Sequence, residues 1–237
     1  TKKLLSKLEV KYEESGHTEN LIKDSKEIII SPGIDLRSLI KSKPSLKKKK
    51  IISEVEFASR YTNAFIIAVT GTNGKTTTSK LIYHILKNSG FNVGLAGNIG
   101  YSFSESIVEN QFDYYVLEVS SFQLDHIINF RPDISIITNI SRDHLDRYDN
   151  KLESYAEAKF NIIRNQKSSD FFIGNNSGPL NLSAALNVKS FGSLRGFLNL
   201  TMDIAPTKAK ARAKLFPIII ITIQTIKHIK MLVIIND

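Results

Sequence analysis

Short apolar runs alternate along the chain with longer segments in which apolar residues recur every three or four positions. The short runs are rich in Ile, Val and Phe and are bounded by turn-forming residues, which indicates strands that are buried on both faces. Strands are predicted at residues 26–30, 50–53, 63–70, 91–95, 113–119, 133–138, 169–173 and 188–191. The longer segments predict helices at residues 54–61, 76–89, 101–109 and 152–164.

This alternation predicts parallel βαβ units, and hence an α/β fold with a parallel sheet covered by helices on both faces. Ligands of such sheets gather at the carboxyl ends of the strands. The pattern fades after residue 192, and residues 217–235 are dominated by Ile with scattered Lys. We therefore divide the chain into residues 1–60, 61–192 and 193–237. The last part is expected to be an atypical tail, either a buried strand pair or non-native sequence.

Composition narrows the class of protein. The 237 residues are 42% hydrophobic and 23% charged, as in ordinary soluble globular proteins. Cysteine is absent, which excludes disulfide frameworks and thiolate metal sites. The first residues mix charges without an apolar signal region, and no stretch of eighteen uncharged apolar residues occurs. Neither a secretory signal nor a membrane span is therefore predicted. Because the first residue is Thr, we expect a fragment of a longer protein.

The net charge of +9 raises the question of nucleic-acid binding. Residues 193–237 hold seven basic and two acidic residues, so this segment contributes +5 of that total. A second basic run lies at residues 47–50. Neither run interleaves aromatic residues as a base-stacking surface would. Solvated charge is the better interpretation, and a nucleic-acid-binding protein is supported by charge alone.

The strongest chemical signal is the segment VTGTNGKTT at residues 69–77, between a predicted strand and a predicted helix. Its glycines let successive backbone N–H groups point at phosphate oxygens, beside the positive end of a helix dipole. Lys75 is expected at the β- and γ-phosphates of ATP, and the Thr76 hydroxyl at Mg²⁺. The general pattern has Gly where this chain has Val69, so the loop is a shorter variant. The predicted nucleotide-binding residues are Gly71, Thr72, Asn73, Gly74, Lys75, Thr76 and Thr77.

Three further side chains are candidates because of their position. Glu118 ends the strand at residues 113–119, where a carboxylate suits Mg²⁺, although a Glu at a strand end is usually just exposed to solvent. His144 follows the strand at residues 133–138 and, taken alone, is more simply structural. Lys159 would by composition be a lysine on a helix surface.

Five motifs in a fixed order give these residues a common context. They are GTNGKTT, GNIG at residues 97–100, LEVSSFQL at 117–124, DHLDRY at 143–148 and AK at 158–159. Together they resemble the central ATPase domain of the Mur ligases, and SPGI at residues 31–34 resembles the end of that family's N-terminal domain. The resemblance covers about residues 26–192. It implies a P-loop ATPase domain preceded by the remnant of a Rossmann-like, UDP-binding domain, in a chain truncated at both ends.

The resemblance also implies an activity, the ATP-dependent formation of an amide. The SSFQL and GNIG segments resemble the branch of the family that adds D-glutamate to UDP-N-acetylmuramoyl-L-alanine through an acyl phosphate. This reaction makes peptidoglycan precursors in the bacterial cytoplasm, and we expect a monomer. Asn98 and Ser120 would contact the UDP-linked substrate. Because the family's C-terminal domain and the first part of its N-terminal domain are not seen, we do not expect this chain to turn over alone.

The family resemblance assigns two Mg²⁺ ions. Thr76 and Glu118 would hold the first ion, and His144 and Lys159 the second, with Lys159 carbamylated by CO₂ so that it offers oxygen ligands. The implied catalytic residues are Lys75, Glu118, His144 and Lys159. Three alternatives stay open: another Mur ligase, a folylpolyglutamate synthase, or a P-loop nucleotide-binding module without ligase activity.

Overall fold

In the computed structural model of the protein, residues 18–175 and 231–235 are described, together with residues 7, 9 and 13. The strands are β1 (Glu27–Ile30), β2 (Lys50–Ser53), β3 (Phe65–Thr70), β4 (Val93–Gly97), β5 (Tyr114–Glu118), β6 (Ile134–Ile137), β7 (Phe171–Asn175) and β8 (Met231–Ile235). The α-helices are α1 (Glu19–Asp24), α2 (Leu36–Ser42), α3 (Glu54–Ala58), α4 (Lys75–Asn88), α5 (Phe103–Glu109), α6 (Ser121–Leu124) and α7 (Leu152–Phe160).

The strands form two sheets. β1 and β2 make a small parallel pair, and the other six strands make the main sheet in the order β4–β5–β3–β6–β7–β8. The first five of these strands run parallel, and β8 pairs antiparallel with β7. The predicted α/β fold with a parallel sheet is therefore confirmed. Because the strand order differs from the chain order, segments distant in sequence meet at the carboxyl edge of the sheet.

β3 lies at the centre of the main sheet and is buried at all six positions. Its alternate residues point to opposite faces, as the period of a strand requires. Phe65, Ile67 and Val69 share a core cluster with Leu86 of α4. The residues between them, such as Ala68, belong to the cluster on the other face, which includes residues of α3 and α7. Layers on both faces explain why β3 reads as a continuous apolar run.

The small sheet is anchored to the main one by buried polar contacts. The Glu56 side chain of α3 is fully buried, and its Oε2 accepts backbone N–H groups of Ile128, Asn129 and Phe130 at 2.7–2.9 Å. The backbone N–H of Ser53, at the end of β2, donates to the carbonyl of His126. Carboxylates bonded to several backbone donors are strongly held. These contacts fix residues 53–58 against the segment that follows α6.

Several short elements were not predicted from the sequence. α1 and α2 begin after the capping side chains of Thr18 and Asp35, and α6 and the 3₁₀ turn at Leu145–Tyr148 are too short for a periodic signal. The predicted strand at residues 188–191 lies outside the described residues. So does the predicted tail, residues 193–237, apart from β8. Within the described residues, no helix has the length and apolar character to cross a membrane.

Candidate functional site

The glycine loop leaves the carboxyl end of β3 and packs directly on the residues that follow β6. Gly71 has a φ of +145°, and a Cβ atom there would lie 1.9 Å from Thr138 Oγ1. No larger residue fits this position without displacing the neighbouring chain. Gly74 has a φ of +80° and is the N-cap residue of α4, a helix of 14 residues. Because glycine has no side chain, it cannot accept a hydrogen bond from the N–H groups of the first helical turn. The N–H groups of this first turn are donors that suit an anion.

The loop is held in shape by side chains that sequence reasoning did not single out. The backbone N–H of Asn73 donates to Asn139 Oδ1 at 3.0 Å, and Asn139 Nδ2 donates back to the Asn73 carbonyl at 2.9 Å. Thr138 Oγ1 donates to the same carbonyl at 2.6 Å. Thr72 is tied to Ser141, whose backbone N–H donates to Thr72 Oγ1 at 3.0 Å. Since each bond joins residues more than sixty positions apart, no local pattern could have revealed it.

Two lysines meet at a single carbonyl of the loop. Lys75 Nζ donates to the carbonyls of Gly71 at 2.9 Å and Thr72 at 2.8 Å. Lys159 Nζ, 88 residues further along the chain, donates to the same Gly71 carbonyl at 2.9 Å. An ammonium has three donors, so Lys75 keeps a further N–H for a phosphate oxygen. The loop N–H groups and both lysines together form the donor-rich end of the site.

Lys159 is a buried residue of α7 and not a surface lysine. It is 1% exposed, and its Nζ lies 4.5 Å from the centroid of the Tyr155 ring. Burial, together with the nearby charge of Lys75, lowers the pKa of Lys159 to about 7 against the opposing effects of Asp143 and Asp125. A large fraction of this amine is therefore neutral near pH 7. A neutral amine is nucleophilic, which an ammonium is not.

Thr76, Glu118 and Asn98 are brought together beside the loop. Thr76 Oγ1 donates to Glu118 Oε2 at 2.7 Å, and Asn98 Nδ2 donates to Glu118 Oε1 at 2.9 Å. Glu118 is 2% exposed, so it is not the solvent-facing carboxylate that a strand end usually carries. Gly97 brings the two strands close, because a Cβ there would lie 2.3 Å from the Glu118 carbonyl oxygen. This close approach explains why the first residue of the GNIG segment, Gly97, is a glycine.

A cavity of about 260 Å³ joins most of the remaining candidates. Five of the predicted site residues line it, namely Lys75, Asn98, Ser120, His144 and Lys159. Sequence reasoning gave no role to other residues of the lining, namely Pro32, Gly33, Phe122, Asp143, Arg147 and Tyr155. Five of these six, all but Tyr155, lie in the SPGI, SSFQL and DHLDRY motifs, so the motifs were the available signal.

His144 and Ser120 occupy different kinds of position at this cavity. His144 has a φ of +48°, and its Nε2 lies 3.6 Å from Asp143 Oδ2, with no hydrogen bond to Lys159 or Glu118 among the described residues. Ser120 caps α6, where its Oγ accepts the backbone N–H of Gln123. In the described part of the chain, no three His, Asp or Glu side chains converge on a metal position. Thr76 and Glu118 are hydrogen-bonded to each other, whereas His144 and Lys159 both line the cavity without a hydrogen bond between them among the described residues.

Comparison with known proteins places these features in one family. Residues 69–227 match the family described as the Mur ligase middle domain, and residues 1–40 match the MurD N-terminal domain. A UDP-N-acetylmuramoylalanine–D-glutamate ligase of Bacteroides thetaiotaomicron is 49% identical over 179 residues, which are 76% of this chain and 40% of the relative. The corresponding ligase of Porphyromonas gingivalis is 49% identical over 172 residues, covering 73% of this chain and 38% of the relative.

Similarity to a solved structure is weaker. The MurF ligase of Thermotoga maritima, determined in complex with ADP, is 21% identical, with a TM-score of 0.44 over 66% of this chain and 44% of that one. The chain spans about 40% of the length of the curated relatives that it matches.

Proposed function

The chain belongs to the Mur ligase family, and from this membership we propose that it is the ATP-binding part of a UDP-N-acetylmuramoylalanine–D-glutamate ligase. Relatives that are 49% identical carry that name, and residues 1–40 match the MurD N-terminal domain. The observation that carries the proposal is the glycine loop. It presents backbone donors, Lys75 and the Thr76–Glu118 pair at one edge of the sheet.

The proposed reaction has two steps. A carboxylate oxygen of the substrate's L-alanyl group attacks the γ-phosphorus of ATP, the bond to the β-phosphate oxygen breaks, and ADP leaves. The amine of D-glutamate then attacks the acyl phosphate carbon, phosphate leaves, a proton is released, and an amide remains. The loop N–H groups and Lys75 would hold the phosphates and balance the charge of the transferring group. Asn98 and Ser120 line the cavity and would contact the nucleotide sugar there.

Thr76 and Glu118 fit a magnesium ion. They offer a hydroxyl and a carboxylate oxygen 2.7 Å apart at the carboxyl end of β5, and hard oxygen donors are the ligands that Mg²⁺ prefers. Mg²⁺ bound there would polarise the phosphoryl oxygens. This pairing supports the first of the two proposed ions, and His144 with Lys159 would serve the second.

The proposed carbamate on Lys159 has support in the state of its amine. A neutral amine adds CO₂ to give a carbamate and one proton, and a pKa of about 7 makes the neutral form available. The product carries two oxygens in place of an ammonium, at a position where the Gly71 carbonyl now accepts the only described hydrogen bond of the amine. Carbamylation would therefore convert a buried cation into an oxygen ligand for the second ion.

Calorimetry of ATP·Mg²⁺ binding tests the nucleotide site. Lys75→Ala should weaken binding about 10- to 100-fold, which is the size of a lost charge-assisted hydrogen bond. Lys80→Ala is the matched control, because Lys80 is an exposed lysine of the same helix, α4. Equal affinity in the Lys75 variant would contradict the placement of the site.

A second titration separates a ligase from a nucleotide-binding module without ligase activity. The chain should bind UDP-N-acetylmuramoyl-L-alanine, and Asn98→Ala should weaken that binding while ATP·Mg²⁺ affinity changes less. Binding of the nucleotide sugar that weakens in Asn98→Ala would support the ligase, because a nucleotide-binding module without ligase activity has no site for that ligand.

A further inference from the structure

Arg147 connects two walls of the 260 Å³ cavity that are far apart in sequence. Its Nη2 donates to the carbonyl of Ile34 at 3.0 Å, and its backbone N–H donates to the carbonyl of His144 at 3.1 Å. Ile34 closes a turn in which its own N–H donates to the Ser31 carbonyl at 3.0 Å. Pro32, inside this turn, lines the cavity. One residue therefore holds both the turn at residues 31–34 and the loop of His144.

Phe122 provides a common platform beneath this connection. The Arg147 guanidinium carbon lies 4.6 Å from the centroid of the Phe122 ring, and the His144 ring lies 5.5 Å from the same centroid. Tyr148 stacks on Phe122 with an interplanar angle of 2°. A planar guanidinium can lie on a ring and donate in its own plane at once, which an ammonium cannot do. The contact therefore depends on the shape of arginine as well as on its charge.

An independent tie joins the same two segments. Arg37, in the first turn of α2, forms a two-pronged ion pair with Asp149, just after the 3₁₀ turn of the His144 loop. This pair lowers the pKa of Asp149 and raises that of Arg37. Both side chains are mostly exposed, so the pair is a weak link taken alone. The two segments are therefore linked at two points.

We propose that Arg147 is a positioning residue that couples the turn at residues 31–34 to His144, so that a nucleotide sugar bound against the turn orders the His144 loop. This proposal rests on the proposed function for the identity of the ligand. The contacts of Arg147 that carry the coupling do not depend on the identity of the ligand. A ligand that fixes the turn holds the Ile34 carbonyl in place. The hydrogen bond from Arg147 Nη2 to that carbonyl then restrains Arg147, whose backbone N–H donates to the carbonyl of His144.

Amide hydrogen exchange measured by NMR on the chain without ligand tests the coupling. In Arg147→Ala, exchange at the Ile34 amide and at the amide of residue 147 should rise about three- to tenfold, as expected for a lost hydrogen bond. Arg147→Lys should restore little, because it keeps the charge but not the planar stack. Arg142→Ala is the matched control, since Arg142 is an exposed arginine of the same loop with no hydrogen bond among the described residues. Unchanged exchange at Ile34 in both Arg147 variants would overturn the proposal.

Addition of UDP-N-acetylmuramoyl-L-alanine separates positioning from mere structural support. In the unaltered chain and in Arg142→Ala, the ligand should slow exchange in both the turn and residues 141–150. In Arg147→Lys it should slow exchange in the turn only, and equal slowing in both segments of that variant would refute the coupling. If the ligand slows exchange nowhere in the unaltered chain, the proposed function fails, while the ligand-free exchange at Ile34 still decides whether Arg147 couples the segments.

Discussion

Replacement of Lys159 by methionine should make the protein more stable near neutral pH, although it removes a residue of the proposed site. Lys159 is 1% exposed and its pKa falls from 10.5 to about 7, mainly because burial disfavours the charged amine. The unfolded chain keeps the ordinary value near 10.5. Between pH 7 and 10.5 the unfolded state therefore binds more protons, and the free energy of unfolding rises with pH across this window.

The size of the effect follows from the two pKa values. The two values differ by about 3.5, and each pKa unit corresponds to 1.36 kcal/mol. Burial of the Lys159 amine therefore lowers the free energy of unfolding by about 5 kcal/mol below pH 7 and by about 4 kcal/mol at pH 7, relative to a pH at which the amine is neutral in both states. Methionine has nearly the same length and no charge, but it loses the hydrogen bond to the Gly71 carbonyl, about 1–2 kcal/mol. We expect Lys159→Met to be about 2–3 kcal/mol more stable at pH 7, and slightly less stable than the unaltered chain near pH 10.

Urea unfolding followed by circular dichroism in CO₂-free buffer measures this difference at pH 6.5, 8 and 9.5. Lys80→Met, at an exposed position of α4, serves as the control and should follow the unaltered chain at every pH. Added bicarbonate at pH 8 should stabilise the unaltered chain and leave Lys159→Met unchanged, because only the former has an amine that can form the carbamate. If the free energies of unfolding of Lys159→Met and of the unaltered chain changed in parallel with pH, the inference that Lys159 is buried and partly neutral would be wrong.

Two further substitutions test the framework of the site. Gly71→Ala should weaken ATP·Mg²⁺ binding at least about tenfold and lower stability by about 1–3 kcal/mol, because its Cβ would overlap Thr138 Oγ1. Calorimetry and urea unfolding measure both effects, and Gly33→Ala, which meets no atom within 4 Å, should show neither. Glu56→Ala should lower the free energy of unfolding by about 3–5 kcal/mol, because three backbone N–H groups lose their acceptor. A loss no larger than that of the exposed Glu105→Ala would contradict this account.

The fold and the position of the glycine loop between β3 and α4 could be predicted from the sequence because their signals are local. A strand buried on both faces requires a run of apolar residues, and β3 provides one between polar neighbours. A phosphate loop requires Gly, Lys and Thr within a few residues, and residues 71–76 supply them in the right context. The family and the parallel α/β fold were thus accessible before any contact was known.

The state of the site residues was decided only by the tertiary structure. Lys159 looks like a surface lysine in its helix, yet packing buries it against Gly71, 88 residues away. The Arg147 guanidinium donates to the carbonyl of Ile34, 113 residues away. The pKa of an amine and the direction of a side chain depend on which segments surround them. In a sheet whose strand order departs from the chain order, those segments come from distant parts of the sequence, and no local pattern encodes their meeting.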